Sequence, residues 1–373
     1  MHYQNVCLES LGYTLPPESV TSAEIEQRLD PLYQRLRLPE GRLELMTGIR
    51  ERRFWPAEVM PGDISIESGR HAIEAAGIDS AKIGCLIHGS VCRDFLEPAT
   101  ACRVHHALGL PADCVIYDVS NACLGILSGA LQIANMIELG QIEAGLVVGT
   151  ETGRHLVENT IATLNKNLSL TRTQIKLAVA SLTIGSASCA MLLTHKDLSQ
   201  TGNRLRAAAV RAHSQHHDLC HSIAGQSETG VGHPLMQTDS ERLMHEGIAT
   251  GVATFERFLK NVAWDRGDID RSICHQVGLT HRKLILESLK LPEQHDYATV
   301  QWLGNTGSAA LPVTLALGAQ AGHIQSGDQV ALLGIGSGIN CVMMGVEWQK
   351  TLVQGEGKLP EPVKKDATAT VMP

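Results

Sequence analysis

The chain has 373 residues, 43% of them apolar, and a formal net charge of −8. That length and apolar content supply a large core in two domains or two similar halves, and they exclude a disordered or fibrous chain. The acidic balance excludes nucleic acid as a general partner, no Lys/Arg tract contradicts it, and no apolar run is long enough to span a bilayer. In chain order, the pattern predicts a first strand over Asn5–Leu8, a turn at Pro16–Pro17 and a helix over Ala23–Arg37 interrupted at Pro31. The basic segment Met46–Phe54, MTGIRERRF, reads as an exposed loop or a phosphate-contacting patch. A helix over Ile64–Ala76 and a buried strand over Ile83–His88 precede the polar loop 89–100, a helix over Ala101–Leu108 and the strand CVIYDV. AGLVVGTE (144–151) is a buried strand, 152–182 a mixed-polarity helical cap or dimer-facing insertion, and ASCAMLL (187–193) another strand. The polar stretch KDLSQTGNR (196–204) divides an N-terminal half, 1–196, from a C-terminal half, 204–352. The second half reads as the strand LRAAAVRA, the amphipathic helix Met244–Val262, the strand SICHQV (272–277), the helix LTHRKLILESL and the turn WLGNTGSAA. A long helix through Ala319 and the strands QVALLGIGSG and INCVMMGVEW follow. The tail, 353–373, is rich in Pro, Lys, Glu and Thr and is expected to be poorly ordered. Buried strands alternating with helices predict an α/β fold with a largely covered sheet. Ten cysteines without paired spacing, and an N-terminus without a basic start and apolar run, predict a reduced, cytoplasmic protein.

The stretch YDVSNACLG (117–125) organises the chemistry. Ser120 and Asn121 are helix-capping types, and from Leu124 apolar residues recur at helical spacing. Cys123 is thus expected on the first turn of a buried helix, where free N–H groups and the positive helix end stabilise a thiolate and can hold an oxyanion. A lone cysteine is more often a small core residue, so its partners decide. An internal repeat supplies them. Asn121 opens a helix ending ELGQIEAG before the strand GLVVG, and Asn305 opens one ending QAGHIQSG before QVALLG. Two halves related by a pseudo-two-fold bring the two helix starts together and set Cys123 near Asn305.

Four motifs in order, TGIRERR, DVSNACLG, DIDRSICHQV and LGNTGSAA, resemble the thiolase superfamily, in its ketoacyl synthase III branch, over nearly the whole chain except the tail. The resemblance implies a thiolase-like five-layer α-β-α-β-α fold built from two duplicated halves, a homodimer, and a Cys-His-Asn site. Cys123 is then the acylated nucleophile, while His275 and Asn305 donate to a thioester or enolate oxygen. The Cys123 N–H and a backbone N–H near Ile339 form the other oxyanion hole. Within this branch, the loop RDFLEP with Glu97, and the terminal GIGSGINCVMMGVEW, are most similar to the condensing enzymes of bacterial long-chain olefin biosynthesis. An arbitrary loop glutamate is usually solvated. A decarboxylative synthase makes its carbanion by losing carbon dioxide, whereas joining two plain acyl thioesters requires a base for a weakly acidic α-proton. In that similar family the glutamate reaches the site from the partner subunit. The implied reaction is non-decarboxylative Claisen condensation of two fatty acyl-CoA molecules to a β-keto acid, with no metal or redox cofactor and with other enzymes of the same pathway as partners. The alternatives are a decarboxylative 3-oxoacyl synthase III using malonyl carrier protein, and a catalytically retired acyl-binding scaffold.

Other motifs are set aside. VALLGIGSG has Ile339 where a dinucleotide fingerprint needs its third glycine, and a strand follows instead of a helix. Degradative thiolases carry a second catalytic cysteine just before this turn, where Leu332 and Leu333 stand here. The cluster His213, His216, His217, Cys220 and His221 has metal-ligand chemistry, but the preferred reading is a solvated or partly packed loop without metal. His281 and His323 read as exposed or packing residues. The Arg50–Arg53 segment can face coenzyme A phosphates, although GRLELM upstream lacks the aromatic residue that stacks on adenine in some synthases.

Overall fold

Ten strands form one mixed sheet in this computed structural model, which describes residues 1–222 and 236–359. They are β1 (Val6–Thr14), β2 (Ile83–Gly89), β3 (Val115–Val119), β4 (Ala144–Glu151) and β5 (Ala187–His195). The second set is β6 (Arg204–Ala212), β7 (Arg271–Cys274), β8 (Gln329–Gly336), β9 (Asn340–Glu347) and β10 (Val353–Glu356). Reading outward from the middle, the order is β1-β5-β4-β2-β3 on one side and β6-β9-β8-β7 on the other. On both sides the first strand pairs antiparallel with the last, the last antiparallel with the one before it, and that one parallel with the second. The repeat seen in two helices therefore extends to strand order, with β3 lacking a counterpart in the second set among the described residues. β1 meets β6 at a single pair, Cys7 and Arg204, and its remaining edge, Leu11–Thr14, is covered by β10.

Alternation along the strands sorts the layers, because successive side chains point to opposite faces. Ile87, Val147, Met191, Leu332 and Val342 belong to one core cluster with helices α3 (Gly125–Glu138) and α6 (Ala310–Gln320). Leu86, Val148 and Ala190, one residue away, face helices α1 (Pro61–Ala76) and α2 (Thr100–Leu108). Leu333, Met343 and Ala209 face helices α4 (Ser240–Val262) and α5 (Leu279–Leu289). With the β1 side and the β6 side of the sheet counted as separate layers, the result is helix, strands, helix, strands, helix: five layers. Between the two sides of the sheet no face of a helix reaches water, so α6 is apolar on every side, and Ala310–Ala319 are all buried. Each fully buried Leu, Ile or Val there contributes about 1.5–3 kcal/mol.

The helices Ser22–Arg28 and Asp30–Leu36 pack with Arg154–Lys166 and Arg172–Ala178 around a separate core that includes Leu32, Val157 and Leu164. This is the helical insertion expected over 152–182. Three expectations change. The segment Met46–Phe54 is not an exposed loop: Glu51–Phe54 pairs with Glu18–Thr21, and Arg52 is fully buried. The tail does not begin at Val353, because β10 completes the sheet and Val353 packs on the central core; 360–373 lies outside the described residues. The first strand runs on to Thr14. Among the described residues no helix is long and apolar enough to cross a membrane.

Candidate active site

β3 ends at Val119, and the chain reverses through Ser120–Leu124 into α3. Ala122 takes φ +45°. That left-handed conformation costs a residue with a Cβ roughly 1–2 kcal/mol and marks a turn held by its surroundings. The turn sets Cys123 into a cavity of about 590 Å³. α3 starts at Gly125 with Leu124 as its N-cap, so Cys123 stands ahead of the helix and not on its first turn. Close backbone packing fixes that start. A Cβ on Gly125 would lie 2.7 Å from the Gly89 carbonyl carbon and oxygen. Gly336, at the end of β8, approaches from the other side: a Cβ there would lie 3.0 Å from Leu124 Cγ and 3.6 Å from the Cys123 nitrogen. Asn340 locks the two turns together by donating to Asn121 Oδ1 at 3.2 Å, while Asn121 Nδ2 donates to Ser128 Oγ at 2.9 Å.

His275 follows β7 directly and donates its N–H to Leu333 O at 3.1 Å, which prolongs the β7–β8 pairing by one residue. Its ring is 4% exposed, and Nδ1 has no hydrogen-bond partner. Gln276 ties this strand end to the approach of Asn305 by accepting from the Thr299 and Val300 N–H groups at 3.1 and 3.2 Å. Asn305 is held between the backbones of Thr183 and Gly185, at 2.9 and 3.0 Å. Its Oδ1 accepts from the Gly307 N–H at 3.1 Å, so its side chain presents Nδ2 as the donor. Asn305 precedes a 3-10 turn, Gly307–Ala309, and α6 begins only at Ala310. Cys123, His275 and Asn305 all line the one cavity, whose remaining wall includes Leu156, Leu243, Met244, Val277 and Ile335. The segments 152–182 and 244–262 both contribute to it.

One expected donor is engaged elsewhere. Ile339 lines the cavity, but its N–H donates to His213 O at 3.3 Å and its carbonyl accepts from His213 N at 2.7 Å. This pair continues the β6–β9 ladder past Asn340 and Ala212, so the Ile339 N–H is not open to an oxyanion. Glu97 is exposed and does not line the cavity of its own chain; it follows Phe95 and Leu96, which are 56% and 93% exposed.

Sequence reasoning missed Glu151. It ends β4, is 5% exposed, and lines the cavity. Its Oε1 takes the Val91 N–H at 3.2 Å, the Ser308 N–H at 3.2 Å and the Ser308 hydroxyl at 2.5 Å. One oxygen thus holds both the loop that leads to Glu97 and the turn after Asn305. A signal was present, since a carboxylate closing an otherwise apolar strand must find donors inside. Burial first, then the Glu151 carboxylate and Cys220, push the Cys123 thiol up to about 12, against a smaller opposing pull from its own N–H. This reverses the expected helix-end stabilisation of a thiolate in the empty site. Burial, helped by His281, holds His275 down at about 3, so its imidazole is neutral. His281 also lines the cavity, and burial lowers it to about 4; it is neither exposed nor mere packing. The histidine-rich segment takes the partly packed of its two expected forms: His213 and His216 are half-buried, while His217 and His221 are exposed. Ser214–Leu219 forms a 3-10 turn, Cys220–Ser222 pairs with Met236–Thr238, and Cys220 and His221 reach the cavity. Of the basic segment, Arg50 is exposed over the Trp302 ring at 5.4 Å, whereas Arg52 donates inward to Ser22 Oγ and Leu182 O, each at 3.1 Å.

Residues 45–218 match the family model described as thiolase, N-terminal domain, and residues 259–348 that of 3-oxoacyl-[acyl-carrier-protein (ACP)] synthase III C terminal. An acyl-CoA:acyl-CoA alkyltransferase of Shewanella oneidensis is 45% identical over 351 residues, covering 93% of this chain and 100% of that one. The chain belongs to the acyl-CoA:acyl-CoA alkyltransferase family. This family is represented among solved structures by Xanthomonas campestris OleA, here in its E-to-Q variant, with 33% identity, a TM-score of 0.87, and coverage of 93% of this chain and 98% of that one. The alkyltransferase family thus accounts for the thiolase-like layers described above. A beta-ketoacyl-[acyl-carrier-protein] synthase III of Sphingopyxis alaskensis is more distant, 27% identical over 332 residues, with coverage of 89% and 95%.

Proposed function

We propose that this enzyme joins two fatty acyl-CoA molecules by Claisen condensation without decarboxylation and releases a β-keto acid. The observation that carries the reading is the convergence of Cys123, His275 and Asn305 on one largely apolar cavity in a chain of this family. Cys123 Sγ attacks the first thioester, the bond to the coenzyme A sulfur breaks, and the thiol proton leaves on that sulfur. The Cys123 N–H receives the developing oxyanion. His275, neutral, and Asn305 Nδ2 donate to the carbonyl oxygen of the second acyl-CoA. Glu97 of the partner subunit takes the α-proton, and the enolate carbon attacks the acyl-Cys123 carbonyl and expels the thiolate, which recovers the proton. Water then splits the β-keto thioester into acid and coenzyme A. None of these steps requires a metal or redox cofactor.

Two features support a shared site in a homodimer. The loop that presents Glu97 also exposes Val91, Phe95 and Leu96, and β3 beside it is an edge strand paired only to β2. Glu97 precedes Cys123 by 26 residues, the same separation as between the glutamate and the cysteine replaced in the Xanthomonas structures. The cysteine-to-serine form of that protein was solved with lauric acid and lauroyl-CoA, which supports a fatty acyl-CoA substrate here. All ten cysteines are free, which supports a reducing, cytoplasmic setting. Processing of the β-keto acid by other enzymes of a hydrocarbon pathway fits the same reading.

The test supplies one long-chain acyl-CoA alone and follows coenzyme A release, β-keto acid and intact protein mass. Wild type should give all three signals. Glu97→Gln should gain the acyl mass on Cys123 yet lose condensation at least a hundredfold. Product formation only with a malonyl donor, indifferent to Glu97, would establish the decarboxylative alternative instead.

A further inference from the structure

The histidine cluster, set aside on sequence grounds, is built as a ligand set. His213 and His216 lie three residues apart at the start of the 3-10 turn after β6, and Glu246 faces them from α4. One ligand atom from each, two imidazole nitrogens and a carboxylate oxygen, all lie within 4.8 Å of one another. The rings stand edge to face with centroids 4.7 Å apart. The neighbours fix the tautomer of His213. Thr250 Oγ1 gives its proton to the Glu246 carbonyl at 2.8 Å, so it meets His213 Nδ1, at 3.1 Å, as an acceptor. The proton of His213 is therefore on Nδ1, and Nε2 keeps a bare lone pair, as in metal-bound histidines oriented by an outer hydrogen bond. His216 Nε2 lies 3.3 Å from both the Gln215 amide nitrogen and Glu246 Oε2. The Nε2 lone pair and the Glu246 carboxylate oxygen repel each other unless a proton or a cation lies between them.

We propose that His213, His216 and Glu246 bind one borderline transition-metal dication, with zinc as the best fit. Two imidazoles and one carboxylate leave a fourth, open position in a tetrahedral site. The metal joins two parts of the cavity wall. Ile339, bonded to the His213 backbone in both directions, lines the cavity, as does Gly247 beside Glu246. It braces that wall, takes no part in the condensation, and does not depend on that reading.

The full-length Cys123→Ser variant, which removes the catalytic thiol as a competing ligand, is stripped with chelator and titrated with zinc chloride by calorimetry. One zinc per chain should bind. Adding Glu246→Gln, which keeps the shape, or His216→Ala should each weaken binding at least tenfold, while the unfolding midpoint in chelator stays that of the parent. Cobalt(II) should give the intense visible absorption of a four-coordinate site, lost in both variants. Absence of stoichiometric binding overturns the proposal. So does one-to-one binding of equal affinity in the parent and both variants, because the metal then sits elsewhere.

Discussion

A thiol pushed up to about 12 is almost wholly protonated at neutral pH. The second cause of that elevation is a single charge, Glu151, whose structural duty as an acceptor needs no charge at all. Glu151→Gln keeps an oxygen for Val91 and Ser308 but removes the negative field, so the Cys123 pKa should fall. Each unit of decrease raises the thiolate fraction about tenfold. Alkylation of the free enzyme by iodoacetamide, followed against pH, reads this directly. The variant should react several-fold faster at pH 7.5, with its midpoint moved downward; an unchanged or upward-moved midpoint would show that Glu151 does not set the resting state. His275 obeys the same burial. Low enough to stay neutral around neutral pH, its imidazole can donate a hydrogen bond without carrying charge.

The nucleophile turn is placed by two elements whose backbones touch. Gly125→Ala puts a methyl group 2.7 Å from the Gly89 carbonyl, where no flexible side chain can yield. The strand end or the helix must move, and Cys123 moves with it. The expected loss is about 2–4 kcal/mol of stability, read by urea unfolding, with activity falling further than stability. Gly109→Ala is the control. It has positive φ but open space around its Cβ, so it should cost only about 1–2 kcal/mol and leave activity intact. A similar loss in both variants would remove contact between elements as the cause. This contact also explains where sequence reading stopped. Buried strands such as β2 and β4 were legible as apolar runs, and Cys123, His275 and Asn305 as motifs in order. The start of α3 was not, because Ser120 and Asn121 have capping side chains yet do not cap: Asn121 is engaged by Ser128 and Asn340. Likewise β10 hides in a charged tail because β1 supplies its partner, and Arg52 in a basic run because carbonyls and a hydroxyl wait inside. Residues whose partners lie a hundred or more positions away leave no local period to read.

At the scale of the whole molecule, three buried imidazoles make stability depend on acid. Burial lowers His88 and His281 to about 4 and His275 to about 3, below the 6.5 of the unfolded chain. Between those values the unfolded chain takes up protons that the native one refuses. Their contribution is therefore complete above pH 6.5 and is lost as pH falls, each group adding up to about 1.4 kcal/mol per pH unit to the slope. Urea midpoints at pH 7.5, 6 and 5 should decline accordingly, and a flat profile would contradict neutral burial. The other whole-molecule question is whether an active site is complete in one chain. Glu97 lies outside its own cavity, so Cys123→Ser and Glu97→Gln should each abolish condensation alone, for reasons that belong to different sites in a two-fold dimer. Co-expressed in equal amounts, the two variants assemble at random, and half of the dimers are mixed. Each mixed dimer has one site with a cysteine from one chain and a glutamate from the other, and one site with neither. About a quarter of wild-type condensation should return, measured as β-keto acid per mole of dimer. If the glutamate served its own chain, every site in every dimer would still lack one of the two groups, and nothing would return at any mixing ratio.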